Sequence, residues 1–437
     1  MRDAESVRAA KSSEPAEGDG AGRPSWLKKL GPGLITGAAD DDPSGIATYS
    51  QAGAQFGFNL LWTILFTYPL MVGIQAISAR IGRVSGHGLA TNIRRHYPGW
   101  LLVAIVGLLL TANTINIAAD LSAMADALRL IAGGPSALYA LGFGLLSTLL
   151  QVFVPYRRYV RVLKWLTLAL FAYVATVFVV RIDWHSVAAH TLLPAWSATP
   201  AYLTATVAVF GTTISPYLFF WQASQEVEEL LADRRARPLI DAPAQAPAHL
   251  RRIRMDTCIG MGISNLVAFF IMLTTAVTLG AHGMSHIRTS ADAAAALRPI
   301  AGEFAFLLFS AGIIGTGLLS IPVLAGASAY AMAGAFGWNN SLGRKPSEAK
   351  AFYAVIVVST LIGIGFGRLP LDPIQALFWS AVINGVISVP IMALMMSMAA
   401  RQDIMGRFAI GGRLKLLGWL ATGAMALAVL CMLAARF

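Results

Sequence analysis

One stretch near the amino terminus limits what this chain can fold into. Residues 31–57, GPGLITGAADDDPSGIATYSQAGAQFG, begin and end like a membrane helix, but the middle holds the consecutive aspartates Asp40, Asp41 and Asp42. An aspartate at the centre of a spanning helix costs about 2.5–3.5 kcal/mol. Each Leu, Ile or Phe returns only about 0.3–0.6 kcal/mol. A straight helix that faces lipid is therefore excluded.

Two interpretations of this stretch remain. The first is an extramembrane turn, because Asp-Pro-Ser-Gly is favourable turn chemistry. The second is a helix that breaks within the bilayer, because Pro43 removes a backbone donor and Gly45 permits unusual dihedrals. In that case the freed carbonyls and carboxylates face a water-filled cavity, where unwound backbone is tolerated. The stretch alone leaves both open, and the rest of the chain favours the second.

The composition is that of a polytopic membrane protein. Of the 437 residues, 56% are hydrophobic and only 13% are charged, whereas soluble domains carry about 25% charged residues. The net charge is +11, but the basic residues form short clusters between apolar runs, which indicates a lipid bilayer and no nucleic acid as partner. Cys258 and Cys431 lie inside apolar runs, so no disulfide framework or Cys-based metal site is predicted.

Eleven membrane spans are predicted, each long enough to cross a bilayer. The first is the broken stretch, and the others are 59–79, 99–128, 136–155, 162–182, 201–222, 257–281, 303–335, 351–367, 373–399 and 414–434. Residues 1–25 are polar and lack an apolar signal sequence, so they are predicted to be a disordered cytoplasmic tail. Residues 26–437 then form one transmembrane transport domain.

The distribution of basic residues predicts the orientation. If the N-terminus is inside and the spans alternate, most of the 33 Lys and Arg residues lie on the inner side, as the positive-inside rule requires. The basic residues left on the outer side are Arg129, Arg181, Arg288, Arg298, Arg368 and Arg436. The prediction is a multi-pass protein of the cell (inner) membrane, with a cytoplasmic N-terminus and an external C-terminus.

The sixth span contains a second interrupted segment, residues 211–217, GTTISPY. An isolated proline such as Pro216 often only kinks a helix, with the freed carbonyl satisfied by a hydroxyl. However, spans 1 and 6 correspond if the chain holds two repeats of five spans, at about 30–182 and 201–399, followed by an extra helix at about 414–434. Interrupted segments at matching positions of two halves indicate a transporter site.

These segments resemble the Nramp family of divalent-metal transporters. Residues 31–57 resemble the family pattern GPG…DPGN…QAGAQFG, TTISPY in span 6 corresponds to ATVMPH, and IAADLSA in span 3 corresponds to IATDLAE. The resemblance implies an all-α polytopic membrane protein with a LeuT-type inverted 5+5 repeat and an eleventh transmembrane helix. In such a fold, spans 1 and 6 are unwound at mid-membrane.

The resemblance also implies a divalent-cation site between the unwound parts of spans 1 and 6. Asp42 matches the aspartate of DPGN, whereas Gly45 replaces its asparagine. Ser215 replaces the methionine of MPH, and Thr212 replaces an alanine that offers its carbonyl. The predicted metal-site residues are Asp42, Gly45, Thr212, Ser215, Ala39 and Tyr217.

Other polar residues in the spans are predicted to line the pathway or its vestibule. They are Asp40, Asp41, Asp120, Gln222 and Asn265. Asp40 and Asp41 either attract cations or cap the half-helix. Buried amides such as Gln222 and Asn265 more often join helices by hydrogen bonds, and that alternative stays open.

The departures from the family pattern predict an altered preference for metals. Loss of the thioether at Ser215 removes a soft ligand, and the oxygen ligands that remain suit hard Mg²⁺ or Mn²⁺. Gly45 and Ser215 are also smaller than the residues they replace, so a roomier cavity that accepts partly hydrated Mg²⁺ is expected. This pattern is closest to the Nramp-related magnesium-transporter branch. The alternative is a homologue that has lost metal binding.

The groups that carry protons in the family are mostly replaced. Its histidine after the span 6 proline is Tyr217, and its span 3 glutamates fall on Ala123 and Asn113. Asp120 remains, but a single intramembrane carboxylate is not a relay. Transport coupled to protons is therefore not expected.

The predicted function is a secondary transporter or facilitator of divalent cations, acting without a cofactor as a monomer or weak homo-oligomer. One alternative is a proton-coupled Mn²⁺/Fe²⁺ symporter of the Nramp type. Another is a LeuT-fold organic-solute transporter, although three aspartates would repel a substrate carboxylate. An enzyme is not predicted, because the chain has no HExxH or GxSxG motif.

Overall fold

The protein is helical throughout the part that the structure describes. The computed structural model describes residues 32–154, 166–233, 235–339, 341–342, 346–366 and 372–435, and their regular structure is α-helix with short 3₁₀ segments. The predicted disordered tail, residues 1–25, and the basic cluster at 157–164 lie outside the described residues.

The first half of the chain holds spans 1 to 5. Span 1 consists of two helices, Pro32–Asp40 and Pro43–Phe56. Spans 2, 3 and 4 are Leu61–Ser85, Gly99–Ala132 and Ser136–Phe153, and the described part of span 5 comprises the 3₁₀ segment Leu166–Leu170 and the helix Phe171–Val177. The connecting elements are the helices Leu89–His96 and Trp184–Leu192 and the 3₁₀ segment Gly57–Leu60.

The second half repeats this plan and adds one helix. Span 6 consists of two helices, Pro200–Thr213 and Pro216–Ala232. Spans 7 to 11 are Ala246–Thr278, Ala305–Phe336, Lys350–Phe366, Pro373–Ala400 and Gly412–Ala434. Short connecting helices are Ser290–Ala295, Arg298–Ala301 and Gln402–Met405, and the 3₁₀ segments are Pro243–Gln245, Gly280–His282, Gly302–Phe304 and Gly406–Phe408.

Helices occupy all eleven predicted positions. Among the described residues, eight helical stretches are long and apolar enough to cross a membrane, and one of them, Pro43–Ser85, joins the second half of span 1 to span 2. Spans 5 and 9 contain the shorter apolar helices Leu168–Val177 and Lys350–Gly365. Each half has five spans, an odd number, so the second half starts on the opposite side of the membrane and the repeat is inverted.

The same local chemistry breaks spans 1 and 6. Asp42 and Ser215 are the N-caps of the two second halves, and both have extended backbone dihedrals. Each is followed by a proline at the first helical position, Pro43 or Pro216, where the missing N–H costs nothing. Residues 43–54 are buried, so the extramembrane-turn interpretation is wrong and the broken-helix interpretation is confirmed.

The broken spans pack against spans 7 and 10 with almost no side chain between the backbones. A Cβ atom added to Gly37 would lie 2.3 Å from the carbonyl oxygen of Gly260 in span 7. One added to Gly211 would lie 2.1 Å from the carbonyl oxygen of Ala381 in span 10. Small residues allow such close approach, on which helix association in lipid depends. Spans 7 and 10 therefore hold the halves of spans 1 and 6.

This packing predicts the effect of a single methyl group. A Cβ on Gly53 would lie 2.2 Å from the carbonyl oxygen of Met272, so Gly53→Ala should destabilise the fold by about 1–3 kcal/mol. The matched control is Gly107→Ala, since Gly107 lies on an exposed face of span 3 with nothing within 4 Å of an added Cβ. That change should be neutral or stabilising by about 0.5–1 kcal/mol. Thermal unfolding of both purified variants checks this, and equal melting temperatures would contradict it.

Candidate metal site

Asp42 is fixed by four hydrogen-bond donors at the break in span 1. Its Oδ1 atom accepts from the Ser44 hydroxyl at 2.6 Å and from the Gly45 backbone N–H at 2.8 Å. Its Oδ2 atom accepts from Asn116 Nδ2 at 3.1 Å and from the Tyr217 hydroxyl at 3.3 Å. The carboxylate is therefore held in one orientation at a helix N-terminus, where the helix dipole stabilises negative charge.

Asn116 connects this carboxylate to span 10. While its Nδ2 donates to Asp42, its Oδ1 accepts from the Ser380 hydroxyl at 2.7 Å. The sequence analysis missed both residues. The signal was present in span 3, since Asn113, Asn116 and Asp120 are spaced three and four residues apart and share one helix face.

The carbonyls freed at the break in span 6 are bonded to hydroxyl groups. The Ser215 hydroxyl lies 2.8 Å from the carbonyl oxygen of Gly211 and 2.9 Å from that of Thr212, and the Ser388 hydroxyl of span 10 donates to the carbonyl of Ile214 at 2.9 Å. Hydroxyl groups thus satisfy freed carbonyls at Pro216, as in the proline-kink alternative of the sequence analysis. Ser215 donates its hydrogen within its own helix and keeps oxygen lone pairs for other contacts.

The amide of Asn384 is buried, and both of its polar atoms are unpaired among the described residues, as is Asp40 Oδ1. The Thr212 hydroxyl faces the hydroxyl of Tyr49. Asn384 lies one helical turn from Ser380 and one from Ser388, which bond to spans 3 and 6, so it belongs to the same face of span 10. Unpaired buried polar groups are uncommon in folded proteins, so the Asn384 amide is a candidate to hold a ligand. The Thr212 oxygen is a second candidate, because a hydroxyl oxygen has two lone pairs.

The missing side chain at Gly45 does not create open space. An added Cβ would lie 3.3 Å from both the Thr212 hydroxyl oxygen and the Tyr49 ring, and 3.6 Å from the carbonyl oxygen of Asp40. The expectation of a roomier cavity is therefore wrong at this position, because Tyr49 and Thr212 occupy the room that a longer residue would need.

Ala39 and Tyr217, two of the residues assigned to the predicted metal site, lie beside Asp42. The Tyr217 hydroxyl is 3.2 Å from the carbonyl oxygen of Ala39 and 3.3 Å from Asp42 Oδ2. A phenol has one hydrogen, so it donates to one of these oxygens at a time. The structure thus brings Asp42, Ala39, Tyr217, Gly45 and Thr212 together.

Asp40 and Asp41 diverge from Asp42 and meet span 7. The Ser264 hydroxyl lies 2.6 Å from Asp40 Oδ2 and 2.9 Å from Asp41 Oδ1, and its single hydrogen serves one carboxylate at a time. Asp40, Asp41 and Asp42 are 1%, 7% and 1% exposed, so the break is closed to solvent. Because Asp40 and Asp41 meet at Ser264 while Asp42 points elsewhere, the three carboxylates form no common cage. Among the described residues, no group of three or more His, Cys, Asp or Glu is placed to hold a metal ion.

The remaining predicted pathway residues lie in three different places. Asp120 accepts from the Ser320 hydroxyl of span 8 at 2.8 Å. Gln222 accepts from Thr36, and so joins the second half of span 6 to the first half of span 1. Asn265 donates to the carbonyl of Ile64 in span 2 at 2.9 Å, on the side of span 7 that lines a lateral cavity. The structure does not bring Asn265 to the Asp42 site.

The chain is similar in sequence to bacterial divalent metal cation transporters. A sequence model of the Nramp family, described as natural resistance-associated macrophage protein-like, matches residues 33–435. The divalent metal cation transporter MntH of Acidiphilium cryptum (strain JF-5) is 28% identical over 90% of this chain and 87% of its own length. That of Burkholderia ambifaria is 27% identical over 93% of this chain and 88% of its own length.

Solved structures share the fold. The crystal structure of an Eremococcus coleocola manganese transporter superposes with a TM-score of 0.71 at 20% identity, covering 97% of this chain and 90% of that one. The crystal structure of MhsT in complex with L-phenylalanine superposes with a TM-score of 0.54 at 15% identity. The match covers 97% of this chain and 100% of that one. The fold is therefore LeuT-type, and with the match over residues 33–435 the chain belongs to the Nramp family.

Proposed function

We propose that this protein transports divalent metal cations through a site at the breaks of spans 1 and 6. The observation that carries the proposal is the buried Asp42 carboxylate, held by four donors. The Thr212 hydroxyl lies next to Gly45, and the unpaired Asn384 amide is on the face of span 10 that bonds to spans 3 and 6. The relatives named divalent metal cation transporters support the same substrate class.

The charge of the aspartates at the break in span 1 favours a metal cation over an organic solute as the substrate. Among the described residues, Asp40, Asp41 and Asp42 have no ion pair with Lys or Arg. A buried charge without a counter-charge costs several kcal/mol, and a divalent cation would remove that cost. An amino-acid or other carboxylate substrate would add to it. The LeuT-fold organic-solute alternative is therefore disfavoured.

The donor atoms favour hard cations. The Asp42 carboxylate, the Ala39 carbonyl, the Thr212 hydroxyl and the Asn384 amide all offer oxygen, which suits Mg²⁺ and Mn²⁺. A thioether such as the family's methionine would favour softer ions, but Ser215 occupies that position. These donor atoms support our proposal that the chain is related to the magnesium-transporter branch of the Nramp family. The Ser215 hydrogen is donated to the Gly211 or Thr212 carbonyl. The lone pairs of the Ser215 oxygen are available to a metal ion.

We also propose that metal movement is not coupled to protons. A phenol, Tyr217, stands where the family's histidine is expected, and it already donates towards Asp42 and Ala39. The second candidate is the proton-coupled Mn²⁺/Fe²⁺ symporter. The observation that favours it is Asp120, a buried intramembrane carboxyl group with one oxygen unpaired among the described residues.

The variant Asp42→Asn tests the role of the Asp42 charge, because it removes the charge and keeps the N-cap of the helix. Asp42→Asn retains an oxygen for the Gly45 N–H, and Asn is as good an N-cap as Asp, so the protein should fold. Uptake of Mg²⁺ or Mn²⁺ into proteoliposomes should nevertheless fall to background. The control is Asp126→Asn, a buried carboxyl of span 3 that pairs with Arg129 at 2.7 Å outside the site. Full uptake by a folded Asp42→Asn variant would place the site elsewhere.

The second prediction concerns selectivity. Ser215→Met should raise the affinity for Cd²⁺ relative to Mg²⁺ by about tenfold or more, because it restores a soft ligand at the break. Ser215→Leu is the matched control, since leucine has a similar volume and no sulfur. Isothermal titration with each ion gives the ratios. Equal Cd²⁺/Mg²⁺ ratios in the Met and Leu variants would mean that size, not sulfur, sets the preference.

The third prediction concerns the driving force. An uncoupled dication is driven by the membrane potential alone, at about 2.3 kcal/mol per charge per 100 mV, or about 4.6 kcal/mol for two charges. Liposomes that contain a pH dye should therefore show metal uptake without internal acidification. Acidification that requires the metal and persists at a clamped potential would establish the symporter instead.

A further inference from the structure

We propose that a groove between spans 2, 7 and 11 binds the phosphodiester headgroup of an anionic phospholipid. This arginine groove is a cavity of about 560 Å³. Its charged lining consists of Arg80 from span 2, Arg251 and Arg254 from span 7, and Arg413 from span 11. It lies apart from the metal site and shares no residue with it.

The four arginines carry charge that the protein does not neutralise. Among the described residues, none of their guanidinium groups lies within ion-pairing distance of a carboxylate. The Nε atom of Arg80 is buried and also lacks a hydrogen-bond partner there. Arg252, between two of them in sequence, is different: it lies 2.5 Å from Glu226 and 2.8 Å from Glu229. Span 7 thus turns one arginine inward to carboxylates and two outward into the groove.

The rest of the groove is apolar, which distinguishes a lipid from a free anion. Val72, Gly73, Leu414 and Leu417 line it together with the arginines. Gly73 precedes Arg80 by seven residues, or about 10 Å along the helix, and an added Cβ there would lie 2.9 Å from Leu417 Cβ. Span 2 and span 11 therefore close the base of the groove below its charged mouth. A free phosphate gains nothing from such a wall, whereas an acyl chain does.

The position of the groove fits a lipid of one leaflet. The helix faces beside it expose large apolar side chains, as expected of a surface in contact with lipid. These include Met255 and Ile259 on span 7 and Leu416, Trp419 and Leu420 on span 11. The groove lies where span 2 ends and span 7 begins, the end that the positive-inside rule assigns to the cytoplasm. Basic pockets between spans on that side bind anionic headgroups.

A bound lipid would connect the added helix to the repeat. Span 11 follows the two five-span repeats, and Arg413 is its contribution to the charged mouth. A single phosphodiester contacted by arginines of spans 2, 7 and 11 would link all three. Arginine suits this role because its planar fork matches phosphate oxygens.

Native mass spectrometry of the full chain in neutral detergent tests the proposal. The probes are phosphatidylglycerol, zwitterionic phosphatidylcholine with the same acyl chains, and inorganic phosphate. The wild-type protein should retain one phosphatidylglycerol in preference to phosphatidylcholine. Arg251→Gln/Arg254→Gln should weaken that binding by about tenfold or more, and Arg413→Gln alone should also weaken it.

The matched control variant removes two positive charges, as the Arg251→Gln/Arg254→Gln variant does, and at the same end of the molecule. Arg235 and Arg237 are exposed residues of the connection between spans 6 and 7 and do not line the groove, so Arg235→Gln/Arg237→Gln should bind as the wild type does. Equal weakening in this control, or unchanged binding in both groove variants, would overturn the proposal. Displacement of the lipid by equimolar inorganic phosphate would overturn it too, because the groove would then be a site for free anions.

Discussion

The hydrogen bonds to the buried Asp42 carboxylate are the interactions on which the centre of this structure depends. Taking a carboxylate out of water costs several kcal/mol, and hydrogen bonds to charged groups return about 1.5–3 kcal/mol each. Ser44 and Gly45 supply two donors from the same break, while Asn116 and Tyr217 reach in from spans 3 and 6. The carboxylate therefore orders three spans around itself, but within the described part of the chain no Lys or Arg forms an ion pair with it.

The breaks in spans 1 and 6 have the same local cause, but they differ in the oxygen atoms that they leave free to bind a ligand. Both arise from an N-cap followed by proline. At span 6, however, Ser388 donates to one freed carbonyl and Ser215 donates its single hydrogen to one of two others. At span 1 the cap is itself a charged ligand candidate. The site is consequently asymmetric. In the site that we propose, the charge and the Ala39 carbonyl come from span 1, and the other neutral oxygens come from spans 6 and 10.

The sequence was sufficient to predict the breaks but not the groups that complete the site. Pro43 and the adjacent aspartates are incompatible with a continuous lipid-facing helix, so local chemistry excluded a straight span there. The rest of the chain, including the second interrupted segment at residues 211–217, favoured a broken helix over an extramembrane turn. Asn116 and Ser380 could not be found in that way, because their roles depend on how spans 3 and 10 meet span 1. The expectation of a larger cavity at Gly45 was also wrong, because it depended on side-chain packing. Tyr49, one helical turn away, occupies that space.

The uncompensated charge also links metal binding to closure of the proposed pathway. A ligand shifts a conformational equilibrium only as far as its affinities for the two states differ. With the aspartates at the break almost fully buried, the closed state without a cation carries charge that water would stabilise in an open state. A bound dication supplies that compensation from within. In the proposed transport cycle, binding of a dication would favour the closed site, and its release would favour entry of water and opening.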